Sequence, residues 1–257
     1  MSKYKKLLYR VEQGIARITL NRPEKRNALD DEIVGEIKDA LEQCAPDEGV
    51  RVVLLAGAGK DFCSGADLSA LSRSSEASMM DNIAGIRNMA GLFLAMRRHP
   101  RPIVAAVRGR ALAGGCGLAT ACDIILAAES AQFGYPEVNI GFVPAMVMAI
   151  LRRSVSEKSA FELITTGEII PARAALGMGM INRVFADDRF DAEVEGYAAK
   201  LAAKSASAVS LAKNLLYHMD AMSFDAALEA GVQVNAIARM TEDFKRGVEA
   251  FLKKSEK

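Results

Sequence analysis

Tryptophan is absent from this chain, and aromatic residues make up only 6% of its 257 residues. Large rings therefore cannot fill most of the interior. With 20 glycines and 12 methionines present, the core is expected to pack small and flexible side chains closely. Charge of one sign is also missing: 33 Lys and Arg against 32 Asp and Glu leave a net charge of +1. No overall field draws the chain to nucleic acid or a membrane surface, so an anionic partner must be held locally. No hydrophobic run is long enough to span a bilayer. The longest uncharged stretch, Val138 to Leu151, has 14 residues, where a spanning helix needs about 18. The opening MSKYKKLLYR lacks the apolar segment of a signal peptide. A cytoplasmic protein is the expectation. The four cysteines (Cys44, Cys63, Cys116 and Cys122) show no CxxC spacing, which argues against a metal site and for reduced thiols. His99 and His218 are the only histidines, and neither falls in a motif.

What is present fits a globular domain. Hydrophobic residues are 51% and charged residues 25%, close to the average for such proteins. The length allows one large domain, or one with an appended helical region. Between Leu8 and Leu20, Val11, Ile15 and Ile18 sit among polar residues around Gly14, which predicts a hairpin or bent strand ending at the turn Asn21-Arg22-Pro23. Leu29, Ile33, Val34, Ile37, Leu41 and Cys44 then recur at helical spacing, behind an acidic first turn. Arg51 to Ala56, Pro102 to Val107 and Asp123 to Ala128 are short apolar runs of the kind buried in a parallel sheet. A helix is predicted across Met80 to Arg98. From Ser156 onward the reading is mostly helical: Glu157 to Thr165, Asp187 to Ala203, Ala206 to Met219, Phe224 to Arg239 and Thr241 to Lys254. Alternating strands and helices predict an α/β core over residues 1–190, followed by a helical region over 191–257.

Three segments could carry chemistry. Phe62-Cys63-Ser64-Gly65-Ala66-Asp67-Leu68 and Gly109 to Gly117 are glycine-bearing loops that follow predicted strands. Glycine there lets backbone N–H groups approach a ligand closely, and two such donors from separate loops could stabilise a developing oxyanion. The third, Phe133-Gly134-Tyr135-Pro136-Glu137, sets one carboxylate beside Val138, Ile140, Phe142 and Val143. Apolar surroundings raise a carboxyl pKa and suit it to proton transfer. A hydrolase using Ser64 would lack a GxSxG elbow. A nucleotide site at Gly57-Ala58-Gly59-Lys60 completes neither glycine-rich pattern. Met146, Met148, Met178 and Met180 could shape a pocket or simply fill core.

Taken in order, NRPEKRNAL at 21–29, FCSGADL at 62–68 and PIVAAVRGRALAGGCGLATACDIILAAESAQFGYPEVNIGFVP at 102–144 resemble the enoyl-CoA hydratase/isomerase (crotonase) family. The resemblance implies a crotonase-like fold, a spiral of ββα units with a C-terminal helical trimerisation region, and a homotrimer or dimer of trimers. It implies an acyl-CoA thioester as substrate, with coenzyme A part of that substrate and no separate cofactor. Matched by position, the thioester oxygen would sit between the N–H groups of Ala66 and Gly114. Each such donor contributes roughly 3 kcal/mol in the transition state. Lys25, Arg26 and Ala28 would lie on the CoA phosphate side, with Ser64, Asp67 and Leu68 around the adenine. Lys254 would reach CoA from a neighbouring subunit.

One departure bears on mechanism. Well-studied hydratases of the family carry two glutamates, and the first position is Gly117 here, leaving Glu137 alone. Family isomerases often work with the second glutamate only, because a 1,3 proton shift needs one base. Hydratases of branched 3-methylglutaconyl-type thioesters also tend to show glycine at that position, with Pro-Ala and bulky apolar residues where this chain has Gly-Phe-Val-Pro-Ala-Met-Val-Met at 141–148. The resemblance thus favours a hydratase using Glu137, over an isomerase or a CoA-binding scaffold that has lost its chemistry.

Overall fold

Alternation along three buried strands builds the centre of the fold. The computed structural model describes residues 3–67, 72–74 and 76–255. Among them, the chain opens with the antiparallel hairpin β1 (Leu7–Glu12) and β2 (Ile15–Leu20), turned by Gln13 and Gly14 at positive φ. Helix α1 (Asp31–Cys44) is capped by Asp30, whose side chain accepts from Ile33 N, and leads to β3 (Val52–Gly57). After α2 (Met79–Arg98) come β4 (Ile103–Val107) and, two residues later, β5 (Arg110–Leu112). Helix α3 (Gly114–Thr120) leads to β6 (Ile124–Ala128) and, again almost at once, to β7 (Gln132–Gly134). Then follow α4 (Ala145–Leu151), α5 (Glu157–Thr166), β8 (Ile169–Pro171), α6 (Ala172–Gly177) and β9 (Arg183–Phe185). The chain closes with α7 (Phe190–Ala202), α8 (Ala206–His218), α9 (Phe224–Met240) and α10 (Glu242–Ser255).

One sheet has the order β1-β2-β3-β4-β6-β9, parallel beyond the hairpin, and a second has the order β5-β7-β8. Strands β4 and β6 in the first sheet each run on into a strand of the second, so successive turns of the chain wind as ββα units. Side chains on a strand alternate between faces. Val53, Leu55, Ile103, Ala105, Val107, Ile125 and Ala127 join the main core with α1, α2 and α3. Their neighbours Val52, Leu54, Val104, Ala106, Leu126 and Ala128 meet Phe190, Val194 and Ala198 of α7. The helix α7, counted above with the C-terminal region, thus packs on the outer face of the sheet. The strands β5, β7, β8 and β9 and the helices α4 and α6 are absent from the sequence reading. Runs of three to seven residues are too short to show a period.

The four cysteines are free and buried. His99 is buried in the frame, with its ring against Leu41 O (3.2 Å) and the backbone of Arg101. Met180 is core, and Met146 and Met178 pack on it. No helix among the described residues is long and apolar enough to cross a membrane.

Helix α8 is fastened by a buried ion pair. Lys213 Nζ donates to Asp123 Oδ2 (2.8 Å), Met96 O (3.0 Å) and Arg101 O (3.1 Å), and burial lowers its pKa. Asp123 also accepts from Ile103 N (2.6 Å) and Tyr217 Oη (2.5 Å). Removing one partner strands the other charge in a poorly solvated place. Lys213→Ala is therefore expected to destabilise the fold by about 3 kcal/mol in denaturant titrations, and Lys213→Met with Asp123→Asn together by less than either alone.

Candidate active site

The loop after β2 is built around a buried arginine and a buried asparagine. Pro23–Lys25 form a single 3-10 turn, and Arg26 and Asn27 follow in the left-handed region. Asn27 accepts from Arg22 N (2.9 Å) and donates to Ala58 O (2.9 Å) and Asp61 O (2.8 Å). The Arg22 guanidinium donates to Ala28 O (2.7 Å) and pairs with Asp30 and Asp67, each at 2.9 Å. This network holds the 21–29 segment against the 62–67 segment. Leu29 N donates to Gly65 O (2.7 Å), and Asp67 N donates to Leu29 O (2.8 Å). In such a parallel bridge the residue between, Ala66, turns its own N–H to the opposite side. That N–H has no acceptor among the described residues.

A second bridge joins the same segment to β5. Cys63 N donates to Arg110 O and Leu112 N to Cys63 O, both at 3.0 Å. Gly65, at φ +99°, then comes hard against the turn that follows. A Cβ added there would lie 2.8 Å from Ala113 Cβ, 3.1 Å from Leu112 O and 3.4 Å from Gly114 N. Only glycine fits both that backbone and that space. Ala113 itself is at φ 50°, ψ −129°, an unfavourable place for an L residue. It is held there by its N–H to Gly134 O (2.8 Å) and by its C=O, which accepts from Gly117 N (3.0 Å). The next residue, Gly114, opens α3, where the first amides have no partner within the helix. Its N–H has no acceptor among the described residues. The Ala66 and Gly114 amides thus come from touching loops and are both open to an acceptor.

Glu137 is carried by the 3-10 turn Pro136–Ile140 just after β7. Tyr135, fully buried, sets its hydroxyl 3.2 Å from Thr120 Oγ1 and so fastens this turn to the end of α3. The Glu137 residue is 8% exposed, and its Oε2 has no hydrogen-bond partner among the described residues. Burial raises its pKa above the ordinary carboxylate value. Val138, Ile140, Phe142 and Val143 are themselves largely exposed, and Val138 and Asn139 lie against Gly167 at the end of α5, where an added Cβ would meet them at 2.9 Å.

The residues matched to coenzyme A fall in different settings. Ser64 bridges to the first loop, its N–H on Arg26 O (3.0 Å), while Lys25 and Arg26 carry exposed side chains. Ala28 is buried, and Asp67 turns its carboxylate inward to Arg22 and, at 3.3 Å, to Lys25. An adenine contact from Asp67 would have to come from its backbone or its rim. Leu68 lies outside the described residues, as does the side chain of Lys254, whose backbone lies in the last turn of α10. Among the described residues no group of three or more His, Cys, Asp or Glu is placed to hold a metal ion. Sequence reasoning quoted Arg22, Asn27, Ala113 and Tyr135 inside its motif segments but gave none of them a role, because each acts through a tertiary contact.

Comparison with known proteins finds relatives over nearly the whole chain. The profile described as enoyl-CoA hydratase/isomerase matches residues 10–257. A Thermus thermophilus protein described as an enoyl-CoA hydratase is 39% identical over 248 residues, covering 96% of this chain and 98% of that one. The 2,3-dehydroadipyl-CoA hydratase of Escherichia coli is 32% identical, covering 95% and 94%. The crystal structure of an enoyl-CoA hydratase from Mycobacterium smegmatis superposes with a TM-score of 0.93 at 35% identity, over 97% of each chain. With its ββα spiral, its C-terminal helices and its ordered loop motifs, this chain belongs to the enoyl-CoA hydratase/isomerase family.

Proposed function

We propose that this chain hydrates an enoyl-CoA thioester, or dehydrates the corresponding 3-hydroxy thioester, with Glu137 as its single acid and base. The observation that carries the reading is a buried carboxyl with a free oxygen, fastened through Tyr135 and Gly134 to the loop that presents Gly114 N–H. The thioester oxygen would accept from Ala66 N–H and Gly114 N–H, which makes Cβ electrophilic. Glu137 carboxylate would take a proton from water as the water oxygen bonds to Cβ. The electron pair of the double bond would move onto the thioester oxygen as an enolate. The carboxylic acid so formed would return that proton to Cα, so H and OH add from the face that Glu137 occupies. The amides matter because they meet charge present only after attack.

Coenzyme A enters as part of the substrate, and these steps need no other cofactor. Lys25, Arg26, Ala28, Ser64, Asp67 and Leu68 are proposed for its near side. The acyl group is proposed to be medium or branched, of the 3-methylglutaconyl type. The lone acid also suits a 1,3 proton shift, so a double-bond isomerase is the second reading. Water uptake by the product separates the two, and CoA binding without turnover would mean a scaffold. A reducing compartment, the cytoplasm, suits the four buried thiols.

Self-association is proposed as a trimer or dimer of trimers, with Lys254 reaching a neighbour's CoA. Helix α9 buries none of its residues, and Phe224, Leu228 and Val232 expose an apolar row at i, i+4 spacing. Sedimentation is expected to give three or six times the chain mass, falling to one for Leu228→Glu with Val232→Glu.

With crotonyl-CoA and 3-methylglutaconyl-CoA, Glu137→Gln is expected to lower kcat roughly 1,000-fold and leave acyl-CoA affinity nearly unchanged. Because burial raises the folded pKa, the folded state binds more protons than the unfolded state between the two values, and this acid's ionisation subtracts stability as pH rises through them. The Gln variant should accordingly melt no lower than the parent at neutral pH. Parent activity needs the carboxylate, so it should fall on the acid side with a limb above about 4.3, the usual glutamate value. Equal loss of binding and turnover in the Gln variant would reduce Glu137 to a structural residue. Gly65→Ala is expected to lose roughly 100-fold in kcat, the worth of one oxyanion donor, and to melt lower, because its Cβ meets Ala113.

A further inference from the structure

Gly117 lies one turn beyond Gly114 on α3 and therefore on the same side of the helix. A Cβ placed at Gly117 would lie 2.1 Å from Val147 Cγ1, 3.2 Å from Val147 Cβ and 3.6 Å from Phe93 Cζ. Carbons in contact sit roughly 3.5 to 4 Å apart, so the isopropyl group already fills the space that any side chain at 117 would need. Val147 and Phe93 are both buried and belong to the main core. Val147 comes from α4, on the same stretch of chain that carries Glu137. Burial is the leading cause of the raised Glu137 pKa.

We propose that Val147, seated in the notch left by Gly117, is the specificity-determining residue that keeps this a one-acid site. The proposal rests on the hydratase reading above. Val147 and Phe93 turn this part of the oxyanion helix into an apolar wall. Water is then activated only from the Glu137 side, and the chemistry open to the site is what one acid completes by giving back the proton it took. Gly117 alone would not secure this, because an empty notch would admit a polar side chain or water. The filled notch admits neither.

The test compares the parent, Gly117→Glu, Val147→Ala and the double variant by thermal unfolding and by pH–rate profiles with crotonyl-CoA. Gly117→Glu alone is expected to melt about 5 to 10 °C lower and to lose at least roughly tenfold in rate. Val147→Ala removes the 2.1 Å contact and leaves the 3.2 Å Cβ contact, which a shift of tenths of an ångström relieves, and the ordinary 3.6 Å contact with Phe93. The double variant is therefore expected to melt above Gly117→Glu despite carrying a second substitution. It should also regain roughly tenfold in hydration and show a second ionisation that the parent lacks. Additive melting changes, or a Gly117→Glu protein as stable as the parent, would overturn the proposal, and so would a double variant that regains stability without the second ionisation. If Gly117→Glu does not fold, Gly117→Ala with and without Val147→Ala reads the same coupling. A parent inactive on every enoyl thioester sinks the hydratase reading, while the melting coupling still decides whether Val147 bars position 117.

Discussion

Everything at the site depends on how closely two backbones approach at Gly65. Its missing side chain lets the 62–67 segment lie against Ala113 and Gly114, and the bridges at Cys63 and Leu29 set the register on either side. Ala66 N–H and Gly114 N–H belong to residues adjoining that contact. Neither position needs a particular side chain, because what is presented is the amide. The constraint falls on the residues around them: a glycine that leaves room, and an alanine held at positive φ by two hydrogen bonds.

The loop after β2 supports this approach from behind. Arg22, nearly buried, spans Ala28 O, Asp30 and Asp67, and so ties together the start of α1 and the far end of the first amide loop. A buried arginine between two carboxylates is tolerable because its fixed fork of donors satisfies both along with a carbonyl. Asp67 is thereby committed to the scaffold, which narrows what it can offer a ligand. Glu137 is the opposite case. It is buried without a partner for one oxygen, a condition that burdens stability and keeps the group ready to exchange a proton. Among the described residues the buried carboxyls thus contrast: Asp67 is paired with Arg22, and Glu137 leaves one oxygen without a partner.

Much of the fold was legible. The unbroken apolar runs of Val52 to Ala56 and Ile103 to Val107 suit strands buried on both faces, and the 3.6-residue pattern in α1 and the C-terminal helices follows from where a helix places successive side chains. The second sheet was not legible, because three-residue strands such as β5 and β7 are made by pairing rather than by propensity. Glu137 is buried as expected, while Val138, Ile140, Phe142 and Val143 beside it in the sequence are largely exposed. Adjacency in sequence says little about surroundings where the chain turns every three residues.

By itself, the sequence determined which elements form, where glycine permits backbone contact, and that Glu137 keeps the second of the family's two glutamate positions while Gly117 stands at the first. These depend on local periodicity and on residue chemistry that any context preserves. Tertiary structure alone decided that the Ala66 and Gly114 amides adjoin one contact, that Asp67 faces inward to Arg22, that Val147 fills the space beside Gly117, and that Glu137 keeps an unpaired oxygen. Each of these is a meeting of residues tens of positions apart or on separate helices. Such meetings are set by how the strands cross between sheets and the helices pack upon them, and no short window of sequence contains that information.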